Sequence, residues 1–205
     1  MVLDSYRSRA DAILLPISRK FLSFNPNTIS GISLFLAALG GLFYYMGNYF
    51  LIAAFAAILL SSLFDAVDGK VARLRNISSR KGDLIDHVFD RYSDIFILLG
   101  MTFSIYGNIM LGLLAIIGVM LTSYMGTQSQ ALGLKRNYSG VLGRADRLVL
   151  ILAASVLQFF ITQHFSFYVF TITVTAIILI WFALAGNYTA VRRFLDAYRA
   201  LPDQD

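Results

Sequence analysis

The segment FDAVDGKVARLRNISSRKGDLIDHVFDRYSD, running from Phe64 to Asp94, places a group of aspartates between two stretches apolar enough to cross a bilayer. Asp65 and Asp68 lie three residues apart at the end of the preceding stretch. Asp86 and Asp90 lie four apart at the start of the following one, with Asp94 one turn deeper. Spacings of three and four bring side chains onto one helical face, so two antiparallel neighbours can aim four carboxylates at a common centre. Such a group repels itself unless cations neutralise it. Hard divalent ions such as Mg²⁺ or Mn²⁺ take oxygen donors of this kind, and ionisable groups at membrane depth are functional candidates. The plainer alternative is a solvated collar in which each acid pairs with Lys70, Arg73, Arg80, Lys81 or Arg91. That suits one aspartate better than four in this register.

The connecting segment adds chemistry. Gly69 leaves space beside Asp68 for a substrate or a neighbouring helix, and Gly82 lets the chain turn into the next helix. Arg73 offers a planar fork to a phosphate, and Ser78 and Ser79 offer hydroxyls. Two metals with these partners suit diphosphate chemistry: in-line attack at phosphorus with the departing oxygen stabilised by metal. Asp83 is expected to face water, and Asp94 to orient Arg91 or a helix end.

Around this segment the chain is hydrophobic at 58% of its 205 residues and charged at only 14%. Hydropathy gives spans at roughly 28–46, 50–68, 88–107, 109–130, 147–163 and 167–189, each near the ~20 residues that cross a hydrocarbon core. The turns YMGNYF, YGNIM and TQHFSF carry no Lys or Arg, whereas all 17 basic residues fall at the opposite face. The positive-inside rule makes that face cytoplasmic, with both termini and the acidic cluster on it. The fold class is therefore all-α integral membrane, six transmembrane helices in one domain over 1–205. Before them, over 4–23, Ala10, Ile13, Leu14, Ile17 and Phe21 recur at helical spacing, with Arg7, Arg9, Arg19 and Lys20 able to reach water. This predicts an interfacial amphipathic helix, kinked at Pro16 and retained rather than cleaved, with a helix packed on the protein as the alternative. The net charge of +5 is spread over separate loops, which fits anionic headgroups and gives nucleic acid no continuous surface. No cysteine and two histidines leave no thiolate metal site and too few imidazoles for a histidine-based one.

The stretch D65-A-V-D68-G69-K-V-A72-R73, eight residues, G82-D-L-I-D86-H-V-F-D90 resembles the CDP-alcohol phosphotransferase signature D-x-x-D-G-x-x-A-R, eight or nine residues, G-x-x-x-D-x-x-x-D, at every fixed position. Six spans behind an amphipathic helix also resemble that family. The resemblance implies displacement of CMP from a CDP-linked lipid or alcohol by an acceptor hydroxyl. It further implies that Asp65, Asp68, Asp86 and Asp90 bind two divalent cations, Mg²⁺ or Mn²⁺, and that Asp90 is also the catalytic base. Gly69, Arg73 and Ser79 would hold the cytidine diphosphate, and Asn27, Thr28, Ile29 and Ser30 would touch the donor. For that last segment a helix cap, with Asn27 or Thr28 meeting free amides, is the competing reading. A homodimer is expected of similar proteins.

Arg144 and Arg147 at the mouth of the fifth span and Arg193 after the sixth suit an anionic acceptor, although the positive-inside rule would also place arginines there. Similar arginines occur in the branch of the family that uses inositol 1-phosphate, and G-D-L-I-D-H-V-F-D-R-Y-S-D and S-Y-M-G-T-Q-S-Q resemble its archaeal ether-lipid members. The donor is then expected to be CDP-archaeol or CDP-diacylglycerol. One departure stands out. Bacterial enzymes of that branch show S-Y-x-K-A-R-A-E where this chain has Ser123 to Gln130, so the lysine expected to grip the acceptor phosphate is missing and Lys135, Arg136 or another residue must replace it. Glycerol 3-phosphate is the alternative acceptor. An intramembrane prenyltransferase would use a different aspartate spacing and more spans. A divalent-cation transporter would need acids along a path to both faces, whereas these crowd one side.

Overall fold

The computed structural model describes residues 7–135, 137, 139–161, 165–167 and 170–202. Among these are seven helices: α1 (Arg7–Lys20), α2 (Pro26–Met46), α3 (Phe50–Leu74), α4 (Arg80–Phe103), α5 (Ile109–Ala131), α6 (Arg144–Phe160) and α7 (Val174–Ala200). A short antiparallel hairpin, β1 (Phe165–Phe167) with β2 (Phe170–Ile172), precedes α7. Helices α2, α3, α5 and α7 are each long and apolar enough to cross a bilayer, so the chain is a multi-pass membrane protein. The other two expected spans coincide with α4 and α6, which are helical but different in kind. The first half of α4 carries Arg80, Lys81, Asp83, Asp86, Asp90 and Arg91, and α6 has 17 residues and opens on Arg144, Asp146 and Arg147. The final helix begins at Val174 rather than near 167. Part of the expected span is taken by the hairpin, whose β2 segment, FTI, is aromatic and β-branched. Residues 4–6 of the predicted amphipathic helix, residues 162–164 of the predicted TQHFSF turn, and Arg136 lie outside the described residues.

The described chain forms two compact units, one ending at Gly100 and the other starting at Met101. In the first, small residues set the helix approach. A Cβ on Gly40 would stand 2.6 Å from Ile58 Cγ1 of α3. One on Gly41 would overlap the Phe96 carbonyl of α4, and one on Gly100 the carbonyl of Gly41. The Gly40–Gly41 pair thus lets α2 take a neighbour on each side at backbone distance. Buried serines fix the register of α2 on α3: Ser33 Oγ donates to the Ser61 carbonyl at 2.9 Å and Ser61 Oγ to the Ser33 carbonyl at 2.8 Å. One helical turn away on α2 and two on α3, the same two faces present Ser30 and Asp68.

Helix α1 runs from Arg7 to Lys20 with Pro16 inside it. Leu14, Ile17 and the following Phe21 pack against the buried cluster of Ile29, Val67 and Val71. An apolar face expected at the lipid interface is therefore covered by protein over this part, while Arg19 and Lys20 remain exposed.

In the second unit α5 and α7 cross at Gly118 and Gly186, where an added Cβ on Gly186 would lie 2.9 Å from the Gly118 carbonyl carbon. Thr122 Oγ1 donates to the Gly186 carbonyl at 2.8 Å, and Asn187 Nδ2 to the Leu114 carbonyl at 3.1 Å. Thr173 caps α7 by accepting from Ala176 N at 2.9 Å.

Glycine tolerance tests this packing. Gly31, with nothing within 4 Å of an added Cβ, should accept alanine with a melting temperature in detergent close to that of the unsubstituted protein. Gly100→Ala must push two backbones apart and should cost about 1–3 kcal/mol, read as a lowered melting temperature.

Candidate metal and anion site

Two helix starts form one end of the site. Asn25 caps α2: its side chain accepts from Asn27 N at 3.0 Å and Pro26 follows in the first turn. The cap is therefore Asn25, where the sequence pattern suggested Asn27 or Thr28. Asn27 is left facing a pocket. Ser79 caps α4, with its hydroxyl accepting from Gly82 N at 3.1 Å and its carbonyl from Asp83 N at 3.0 Å. Amides at helix starts favour anions.

Both caps line a pocket of about 240 Å³. From α2 come Asn25, Asn27 and Ser30; from α3, Asp68, Gly69 and Arg73; from the α4 end, Ser78, Ser79, Gly82 and Asp86. Among the described residues, the guanidinium of Arg73 is the only group near Gly69, with Nη1 3.6 Å from where a Cβ would be. The glycine thus opens the pocket wall and is not a helix crossing point. Gly82 lies in the first turn of α4, within 4.0 Å of Asn27 Oδ1 by the same measure.

Of the predicted donor contacts before the first span, Asn27 and Ser30 reach this pocket. Thr28 does not line it, and Ile29, 1% exposed, packs into the core with Val67 and Val71. Ser30 also braces the acidic end, because its hydroxyl donates to Asp68 Oδ2 at 2.5 Å and reaches the Pro26 carbonyl at 3.1 Å. Asp68, 4% exposed, is thereby held against α2.

The other end of the site is acidic. Asp65, Asp68 and Asp86 each offer a carboxylate oxygen within 4.8 Å of the others, and Asp86, His87 and Asp90 likewise bring one ligand atom each within that distance. Asp86 belongs to both groups. Hard oxygen donors at this separation fit a divalent cation such as Mg²⁺ or Mn²⁺. His87 was not anticipated. Its Nδ1 lies 3.6 Å from Asp86 Oδ2 and its Nε2 4.0 Å from Asp83 Oδ1. Its position next to Asp86 was visible, but helical geometry alone does not select a residue adjacent to a ligand. Asp90 is 7% exposed and Asp94 5% exposed; Arg91 Nη2 stands 3.5 Å from the first and 3.8 Å from the second. The side chain of Asp83 is largely exposed.

In the second unit, Arg147 and Arg193 are buried and Arg144 is half-buried. Arg193 donates Nε to the Ser139 carbonyl at 2.8 Å and Nη1 to the Thr122 carbonyl at 2.7 Å. Gly126 occupies the place of the missing lysine, and a Cβ there would lie 3.3 Å from Arg193 Nη1, so a guanidinium covers that glycine.

A multi-pass membrane protein whose pocket joins anion-favouring helix starts to a cation-favouring acidic cluster has the groups to take a phosphate ester beside a divalent cation. Comparison with known proteins gives the class a family: residues 23–188 match the model of CDP-alcohol phosphatidyltransferase, and the chain belongs to that family of transferases. The archaetidylinositol phosphate synthase of Methanothermobacter thermautotrophicus is 30% identical over 201 residues, 98% of this chain and 96% of that protein. The crystal structure of Mycobacterium tuberculosis phosphatidylinositol phosphate synthase with CDP-DAG bound has the same fold, with a TM-score of 0.76 and 24% identity over 91% of this chain and 94% of that one. The same enzyme in complex with manganese and citrate gives a TM-score of 0.76 and 23% identity over 90% and 88%.

Because Asp86 is shared, Asp86→Asn should abolish the gain in melting temperature that Mn²⁺ gives the intact protein, whereas Asp83→Asn should retain it. Thermal unfolding with and without Mn²⁺ checks this.

Proposed function

We propose that the protein transfers a phosphatidyl-type group, archaetidyl in an ether-lipid membrane, from a CDP-lipid to the hydroxyl of inositol 1-phosphate, releasing CMP. The observation that carries this reading is a pocket that Asp68 and Asp86 line together with Arg73 and the caps of α2 and α4, with an Asp65 oxygen within 4.8 Å of oxygens of those two aspartates. The similarity to an archaetidylinositol phosphate synthase along nearly the whole chain supports the acceptor. The four aspartates Asp65, Asp68, Asp86 and Asp90 would hold two divalent cations, Mg²⁺ or Mn²⁺, which when bound neutralise charge on the diphosphate and on the departing CMP.

The chain's own residues do the rest. Asn27, Ser30, Gly69, Arg73 and Ser79 bind the cytidine diphosphate, with Thr28 and Ile29 contributing through the backbone that sets Asn27 and Ser30. Asp90 takes the proton of the acceptor hydroxyl as its oxygen attacks the lipid-bearing phosphorus, and the bond from that phosphorus to the bridging oxygen breaks with CMP. No covalent enzyme intermediate is required. Arg144, Arg147 and Arg193 supply contacts for the acceptor phosphate, Arg193 in place of the missing lysine.

The same reading takes α4 and α6 as further crossings, six in all, within a single domain over 1–205. Both termini and the site lie on the cytoplasmic side, because six crossings at the hydropathy maxima would leave all 17 basic residues of the sequence at one face. The working unit is a homodimer.

An acceptor panel tests the proposal. With CDP-archaeol or CDP-diacylglycerol and Mg²⁺ or Mn²⁺, CMP release should require inositol 1-phosphate and fail with inositol or serine. Preference for glycerol 3-phosphate would overturn the acceptor assignment. Asp90→Asn should lower turnover by at least ~100-fold, and undiminished turnover would remove it as the base.

A further inference from the structure

Asn137 and residues 139–141, between α5 and α6, are clasped to one stripe of α7. The contacts fall at Thr189, Arg193 and Asp196, spaced four and three apart and so on one helical face. Asp196 Oδ2 accepts from Ser139 Oγ at 2.8 Å and from Asn137 Nδ2 at 3.3 Å. Arg193 reaches the Ser139 carbonyl at 2.8 Å and ties it to α5 through the Thr122 carbonyl. Gly140, at φ +115°, lets the backbone press onto Thr189, where a Cβ would overlap Thr189 Cγ2, and Val141 N donates to Thr189 Oγ1 at 3.3 Å. Leu142 is then buried, and Gly143 N donates to Asp146 Oδ2 at 3.1 Å as α6 begins. The described residues from Asn137 to Gly143 are thus held in sequence up to the turn that carries Arg144 and Arg147.

Two explanations compete for this clasp. Main-chain carbonyls in an apolar protein need donors, and that need accounts for the bonds made by Arg193. It does not account for the two bonds at Asp196 Oδ2, which join side chains and satisfy no backbone group. What Asp196 selects is a conformation of the loop. We propose that Asp196 is a positioning residue for the acceptor: it holds Asn137 and Ser139 on α7 and so fixes where α6 presents Arg144 and Arg147. This rests on the reading above in which those arginines meet the acceptor phosphate. A preorganised anion contact loses affinity when its support is loosened, while the residues that line the donor pocket, from Asn25 to Asp86, include none from the loop.

The test uses the full chain in lipid nanodiscs. KM is measured for inositol 1-phosphate and for CDP-diacylglycerol, alongside hydrogen exchange across 137–143. Asp196→Ala should raise the acceptor KM about tenfold, less than the ~100-fold that misplacing a reacting group by about an ångström costs. It should leave the donor KM unchanged and quicken exchange in the loop. Asp196→Asn, which keeps an oxygen for Ser139, should recover most of the loss. Equal rises in both KM values, faster exchange without a change in acceptor KM, or no change in either would each overturn the inference. Absence of turnover in the unsubstituted protein would count against the functional reading instead. The inference is then decided by binding of inorganic phosphate: about tenfold weaker binding in Asp196→Ala supports it, and equal binding overturns it.

Discussion

Carboxylate repulsion is the constraint around which the first unit is arranged. Asp65, Asp68 and Asp86 bring oxygens within 4.8 Å of one another. Two like charges about 4 Å apart oppose each other by roughly 4 kcal/mol at an effective dielectric constant near 20. Folding alone has no reason to gather three of them. The nearby helix starts of α2 and α4 and the guanidinium of Arg73 attract anions, so the pocket has a cation-favouring end and an anion-favouring end. A diphosphate held together with divalent metal satisfies both at once.

The scaffold explains how a chain this apolar keeps the acids in place. Gly40 and Gly41 let α2 take α3 on one side and α4 on the other, and the Ser33–Ser61 exchange of hydrogen bonds locks the register between α2 and α3. Ser30 then extends the same pairing to Asp68. In lipid no hydrophobic force drives helix against helix, so close backbone approach and buried hydroxyl bonds carry the association. The site inherits its geometry from them.

Much of this was legible in the sequence because it depends on local periodicity. The aspartate spacing, the glycine before Arg73 and a helix start within a few residues of Pro26 follow from rules that operate locally, whereas α4 starts at Arg80, eight residues ahead of the expected span. Long-range features were not legible. That Ile29 would turn into the core while Asn27 and Ser30 face the pocket depends on the cap at Asn25, although Asn-Pro is itself a helix-start signal. The short hairpin before α7 was hidden by an apolar run that reads equally well as helix or strand. The contact of Arg193 with Gly126 joins residues far apart in the chain, and only the crossing of α5 and α7 creates it.

The central claim is that the gathered aspartates exist to hold divalent cations. Anomalous diffraction at the manganese edge from crystals grown with Mn²⁺ addresses it directly. The expected result is manganese peaks within bonding distance of Asp65, Asp68, Asp86 and Asp90. Carboxylates turned away from one another toward solvent, with no anomalous density among them at saturating Mn²⁺, would contradict it.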